Sequence, residues 1–475
     1  MLRKAATIRY VSYVLGTGLT LANLFLITYL LDIYQFAVWG VANSLVYIFS
    51  QIGQLTYVQY IEKYFPNYSV EKMNYYLYKF LKTISLLPIL WISILFLIEY
   101  FGYFEKFNAD NLIILFLIIA GLTTVESSIE LSAKYLLAQK ETPKFDLYEL
   151  LLFKLTRLVI FYFLLANGYS VYFLLLTNLI LRSLLLIKTL NYKSQGVLKI
   201  LKKIFRSKIF EKNLDKLSYT FTAFMIKTLQ VTFLNILFII LSISAKNETI
   251  ANYSLGILII NNLRPVFASL SGLLTPIISK NIYGNKDNTT LFSFVASINR
   301  IFISLVTVLT IYIVDYKFLI SYFLESFDDN IYTIILVSVF ASSIASLYIP
   351  NFLNLLFSNK EKYLLRIVLV NFIFCMFLFY ILRETSFIDL LYIYLLFELI
   401  SFYIFKYMNN LTSFTTANTY SFFATLIYLA TYLSGYGTSF LLLFVCIIFI
   451  GYDIKKFIKQ FNNYDSIKDK DYGTK

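Results

Sequence analysis

A small set of ionisable residues stands inside long apolar runs, and any chemistry of this chain has to start there. A charge at mid-bilayer costs at least ~2.5 kcal/mol on insertion scales, so it persists where it faces a cavity or a partner. At a rise of about 1.5 Å per residue, Arg157, Lys227, Arg264 and Arg300 fall near the middle of their runs, with Lys154 and Arg182 nearer one end. The acidic members are Glu126, Glu130, Glu149 and Glu398. Basic residues outnumber acidic ones, and both halves of the chain supply them. Such a lining suits an anionic substrate. A diphosphate fits well, because a guanidinium holds phosphate oxygens with two parallel bonds. Lys154, Arg157, Arg182, Lys227, Arg264 and Arg300 are therefore the expected substrate-binding residues, with Glu126, Glu130 and Glu398 as ion-coupling groups or charge partners. Plainer readings stand beside these. Glu130 and Lys134 are spaced to pair on one helix face, Glu149, Lys154 and Arg182 are placed to snorkel, and Glu398 is equally suited to neutralising a cation.

Other chemistries are excluded or left without support. The chain has no His, so imidazole catalysis and His-ligated metal sites are ruled out. It carries no P-loop, no Gly-rich dinucleotide turn, no Cys-x-x-Cys and no Gly-x-Ser-x-Gly. Cys375 and Cys446 both sit in apolar runs, where a structural disulfide is not expected. No catalytic residue, metal or cofactor is expected, and the chain does not read as an enzyme.

The elements that position the charges are membrane spans. The sequence has 475 residues, of which 59% are hydrophobic and only 14% charged, well below the charge content of a soluble domain. Mean hydropathy is +0.71. The fold class is an all-α polytopic membrane protein. Runs long enough to cross a bilayer lie near 8–31, 37–60, 79–100, 111–136, 146–166 and 169–189. After a basic stretch come 217–242, 250–279, 291–314, 331–357, 364–382, 387–407, 417–433 and 438–453. That makes about fourteen, the last two being short enough to form, alternatively, one re-entrant hairpin turning at Ser434–Thr438. The first run follows Arg3, Lys4 and Arg9 but is too long for a signal peptide and lacks a small-residue cleavage site, so a retained span is expected.

Net charge is +14, and its placement points to topology and away from nucleic acid. Alternate connecting segments are basic, from the N-terminus through Lys63–Lys82, Lys134–Lys144, the central stretch and Lys360–Arg366 to the tail after Lys455, whereas the intervening loops hold only Lys106, Lys246, Lys317 and Arg383. The positive-inside rule then puts both termini in the cytoplasm. The central stretch, Leu190 to Lys216, has an amphipathic core. As a helix, Val197–Ile209 places Val197, Leu198, Ile200, Leu201, Ile204, Phe205 and Ile209 on one face and Lys199, Lys202, Lys203 and Arg206 on the other, with Lys208 the misfit, the pattern of a helix lying on an anionic membrane surface; a solvated cytoplasmic loop with ordinary positive-inside charge is the plainer reading.

The resulting division is a six-helix lobe over 1–189, a basic cytoplasmic hinge over 190–216, a second six-helix lobe over 217–407, an accessory helix pair over 408–453 and a cytoplasmic tail over 454–475. The halves are weakly repeated. Asn23-Leu-Phe-Leu echoes Asn235-Ile-Leu-Phe, and Phe36-Ala-Val-Trp-Gly echoes Ile250-Ala-Asn-Tyr-Ser. Two six-span repeats about a central cavity are a common transporter plan. Pro88, Pro265, Pro276 and Pro350 interrupt spans, and Gly16 and Gly18 allow the first span to bend or pack closely.

The chain resembles the MATE-like polysaccharide flippases of the Wzx type. The resemblance rests on the basic N-terminus with its first span, on Tyr34-Gln-Phe-Ala-Val-Trp-Gly, and on Ser269-Leu-Ser-Gly-Leu-Leu-Thr-Pro-Ile-Ile-Ser-Lys280. It rests also on length, span number and the basic hinge. The resemblance implies two lobes around a cationic cavity in the bacterial cytoplasmic (inner) membrane. It implies alternating access that moves a polyprenyl-diphosphate-linked oligosaccharide between leaflets for O-antigen or capsule assembly. Membrane lipids and the polymerase and glycosyltransferases of the same pathway are the implied partners. Competing functions are a MATE-like exporter of small molecules, which would favour an acidic cavity, and a membrane glycosyltransferase or polymerase, which would need a large external loop or acidic residues near a membrane face.

Overall fold

The computed structural model describes residues 2–104, 111–139, 142–191, 204, 214–264, 331–357, 360–382 and 388–408. The ninth, thirteenth and fourteenth spans, nearly all of the hinge, Arg300, Pro265, Pro276 and Cys446 lie outside the described residues. Among the described residues, helices account for the apolar runs in the order the sequence lays them out. α1 covers Leu2–Leu30 and α2 Ile33–Gly53. Asp32 starts α2 by accepting the Gln35 N–H at 2.7 Å, which satisfies one of the first orphan donors of the helix.

Two boundaries differ from the sequence reading. The second span was expected to continue to residue 60, but α2 stops at Gly53 because Leu55 takes a left-handed backbone conformation (φ 50°). A short separate helix, α3 (Tyr57–Tyr64), follows. The third span, expected from residue 79, begins earlier: α4 runs Val70–Ile84 with Ser69 capping the Lys72 N–H. The chain restarts as α5 (Leu87–Tyr100), with Pro88 in its first turn. There the missing proline donor is one the helix would leave unpaired anyway.

α6 covers Leu112–Ala138. The fifth span is not a uniform α-helix. α7 (Thr142–Tyr148) passes into a π-helical turn, Glu149–Leu155, before α8 (Thr156–Ala166). Thr156 Oγ1 donates to the Leu151 carbonyl five residues back at 3.0 Å. Such turns are rare and often sit at functional positions. α9 (Val171–Leu190) completes the first half, after a turn at Gly168, whose φ of 73° favours glycine. In the second half, α10 covers Leu214–Ser244, and α11 is helical from 247 to 264, the last described residue before the gap. α12 (Ile331–Phe357), α13 (Glu361–Leu382) and α14 (Ile388–Met408) follow.

Six helices among the described residues are long and apolar enough to cross a membrane, and Leu15–Leu30 and Leu390–Phe405 are shorter apolar helices. Large apolar side chains on them face outward, Ile89 being 72% and Val370 67% exposed. An exposed apolar girdle of this kind belongs against lipid. The chain is an all-α, multi-pass membrane protein. Inside, α12 packs along α14, α6 along α9, and α10 against α13; across the halves, α10 packs against α2. The two echoed segments are both core. Asn23 and Asn235 are buried, as are Phe36, Trp39, Ile250 and Tyr253.

Candidate functional site

The helices bring the predicted charges into three groups. The first is built by α6, the π-helical turn, α8 and α9. Arg182 Nε lies 2.6 Å from Glu126 Oε1, and its Nη1 lies 3.7 Å from Glu149 Oε1. The buried ring of Phe153 carries both guanidinium groups of this cluster, with Arg182 at 3.6 Å and Arg157 at 4.7 Å from its centroid. Arg157 also lies 5.9 Å from the Phe161 ring. Cation–π contact orients these planes, but no carboxylate lies within 4 Å of Arg157 among the described residues, although Glu126 and Glu149 are within electrostatic reach of it, and its Nε is buried without an acceptor. Lys154 reaches α1: a Cβ placed on Gly16 would stand 2.7 Å from the Lys154 Nζ. The glycine is thus a notch for that side chain, while Gly18 has open space around it. Asp146 and Glu149 lie within electrostatic reach of Lys154.

The second group joins α3 and α6. Lys134 Nζ lies 2.8 Å from Glu62 Oε1 and 3.7 Å from Glu130 Oε1. Glu62 stands beyond the α2 span. Burial works against its charge, yet Lys134 and Lys227 together hold it below the usual carboxylate range. Lys227 on α10 makes no ion pair of its own among the described residues.

The third group is the most enclosed. Arg264 on α11 lies 3.5 Å from Glu398 on α14, and Glu398 is 0% exposed. Arg264 Nη1 donates to the Gln230 carbonyl and the Tyr394 hydroxyl, both at 3.4 Å, and Nη2 to the Tyr348 hydroxyl at 3.3 Å. Tyr348 in turn donates to Glu398 Oε2 at 2.5 Å. A buried carboxylate needs this kind of enclosure, because unpaired it would cost several kcal/mol. Tyr47 on α2 lies within electrostatic reach of both Arg264 and Glu130, between the second and third groups.

The geometry therefore separates residues that the sequence treated alike. Arg182 and Arg264 are held by carboxylates, Arg157 and Lys227 are not, and Arg300 lies outside the described residues. Sequence reasoning missed Tyr348, Tyr394, Gln230 and Glu62. Tyr394 precedes Glu398 by one helical turn in an apolar run, a spacing that could have singled it out. Glu62 lies between the second and third expected spans, outside the apolar runs that hold the candidate charges.

No family model matches this sequence, and no curated protein matches it. Solved structures do. The lipid II flippase MurJ, in an inward closed conformation, is similar with a TM-score of 0.61 at 15% identity, covering 98% of this chain and 99% of that one. A eukaryotic MATE transporter gives 0.56 at 10% identity, over 87% of this chain and 96% of that one. A MATE protein in complex with MaL6 gives 0.55 at 11% identity, over 86% and 96%. The all-α, multi-pass class expected from the sequence is thus observed, and this chain shares its fold with the lipid II flippase MurJ and the MATE transporters.

Proposed function

We propose that this protein is a flippase of the Wzx type. It moves a polyprenyl-diphosphate-linked oligosaccharide across the bacterial cytoplasmic membrane for surface polysaccharide assembly, by alternating access between lobes 1–189 and 217–407. Both termini are cytoplasmic in this reading. The supporting observation is Arg157, a guanidinium carried within an apolar helix, oriented by Phe153 and Phe161, with no carboxylate in ion-pair contact among the described residues. A protein does not keep such a charge in a membrane without a use for it. A diphosphate supplies the missing acceptors, and Lys227 from the other half is a further intramembrane cation without an ion pair among the described residues. Arg182 joins them when phosphate oxygens compete with Glu126 and Glu149. Arg264, already enclosed by Glu398 and three further acceptors, organises the second half and meets the diphosphate last. Oligosaccharide polymerase and glycosyltransferases act before and after this step.

The test uses purified protein in vesicles loaded with a fluorescent polyprenyl-diphosphate disaccharide. Protein should carry the probe from one leaflet to the other, read as fluorescence newly open to a membrane-impermeant quencher. Folded protein that leaves this probe in place but expels an organic cation would establish the small-molecule exporter reading instead.

A further inference from the structure

Glu149 and Lys154 work on the same charge cluster although they stand five residues apart. Glu149 reaches Arg182 on α9 at 3.7 Å. Lys154 lies within electrostatic reach of both and occupies the Gly16 notch of α1. A regular α-helix turns about 100° per residue, so residues five apart point about 140° away from each other. The π-helical turn Glu149–Leu155, with bonds that join residues five apart, brings the two into line. Thr156 holds the wide turn from its C-terminal edge. Its hydroxyl donates to the Leu151 carbonyl five residues back, whereas Thr20 and Thr189 return to carbonyls four residues back, the usual α-helical arrangement.

The sequence supplies a second register. A wide turn holds one residue more than an α-helical turn, and that extra residue can pass along the helix toward α7. With Lys154 fixed in its notch, Leu150 then comes into line with it, as residues four apart do in an α-helix. Leu150 takes the place of Glu149. Glu149 takes the place of Tyr148, whose ring lies 5.5 Å from the Lys188 Nζ, so the departing carboxylate meets another cation. On the outer side Leu152 takes the place of Leu151, and both are lipid-facing, 42% and 47% exposed. We propose that the π-helical turn is a charge switch: in the register seen here Glu126 and Glu149 both neutralise Arg182, and in the second register Glu149 passes to Lys188 and leaves Arg182 open to an anion. Glu149 is then a positioning residue that acts through Arg182. An exchange of one charge pair for another keeps the two registers close in energy, and an anion that binds one of them better shifts the balance. The inference deepens the transport reading above, in which phosphate oxygens compete with Glu149, and rests on it for the identity of the anion.

The experiment uses the full chain in lipid nanodiscs, with Cys375 and Cys446 replaced by alanine and spin labels on Ile89→Cys of α5 and Leu152→Cys, both lipid-facing here. A side-chain tip stands about 5 Å from its helix axis, so a rotation of up to about 100° moves the label by several ångström. Pulsed electron resonance should show two inter-label distances, and inorganic diphosphate should enlarge the second population. Thr156→Val keeps the side-chain shape but removes the hydroxyl that holds Leu151, and should enlarge that population with no anion present. Deleting Leu151 puts Glu149 four residues from Lys154 in a plain α-helix, so both contacts persist while the movable residue is gone. That variant should show one distance, ignore diphosphate and fail to move the fluorescent probe. The Thr156→Val measurement decides the question even where the shortened chain does not fold. One distance in the parent and in Thr156→Val, unchanged by diphosphate, would overturn the switch, as would full probe transport by the deletion variant. Two distances that respond to diphosphate, in a parent that leaves the polyprenyl-diphosphate probe in place, would overturn the substrate reading and leave the switch standing.

Discussion

Gly40 on α2 and Ser254 on α11 touch where the two halves of the chain meet: a Cβ added to Gly40 would stand 1.7 Å from the Ser254 Oγ and 2.2 Å from its Cβ. The two residues occupy the same place in the two echoed segments, each the fifth residue of Phe36-Ala-Val-Trp-Gly and Ile250-Ala-Asn-Tyr-Ser. The contact brings the two echoed segments together, and the small residue is what lets the backbones approach. Gly40→Ala should push the helices apart and cost about 1–3 kcal/mol, the usual penalty of overpacking. Adding Ser254→Gly should recover most of it. Denaturant unfolding in detergent micelles checks both variants, and an unchanged midpoint for Gly40→Ala would show that the helices have room to spare.

The Arg264–Glu398 pair makes a separate prediction. Removing one partner leaves a buried charge without compensation, and about 3–5 kcal/mol should be lost in Glu398→Leu or Arg264→Met alone. The double variant should recover much of the stability, because apolar side chains of similar volume replace a buried pair at little cost. Transport by that double variant is the informative measurement. If Arg264 only organises the second half, flipping of the fluorescent probe survives; if it holds the diphosphate, flipping is lost although the fold is restored.

Much of the architecture was legible because bilayer spanning writes long apolar runs and basic loops into a sequence. Where the reading failed, local backbone chemistry decided. Apolarity continues past Gly53, so nothing in composition announced the left-handed Leu55 that ends α2. Pro88 looked like a mid-span bend but begins a new helix. The charges were legible as a set and not as individuals. Arg157 and Arg182 look alike in sequence, and only the packing of α6, α8 and α9 brings two carboxylates within 4 Å of Arg182 and, among the described residues, none that close to Arg157. The echo of Gly40 in Ser254 was visible as a faint repeat, but that the two positions touch depends on long-range packing that no local pattern encodes.

Arg157 offers the sharpest test of the proposed substrate site, because stability and transport should respond in opposite ways. Its guanidinium has aromatic neighbours but no ion pair among the described residues, so Arg157→Gln breaks no salt bridge and relieves an intramembrane charge. Unfolding resistance should hold or rise. Arg182→Gln should do the reverse, stranding Glu126 and Glu149 and lowering stability. If Arg157 meets the diphosphate, Arg157→Gln should weaken its handling by roughly ten- to a hundredfold, the worth of about 1.5–3 kcal/mol for a hydrogen bond to a charged group. Arg157→Lys should retain part of the activity, since the charge survives and the two-pronged donor geometry does not. Initial rates of probe flipping, set beside unfolding midpoints of the same preparations, decide the matter. A stable Arg157→Gln variant that flips the probe at the parent rate would show that the unpaired guanidinium is not the anchor for the diphosphate.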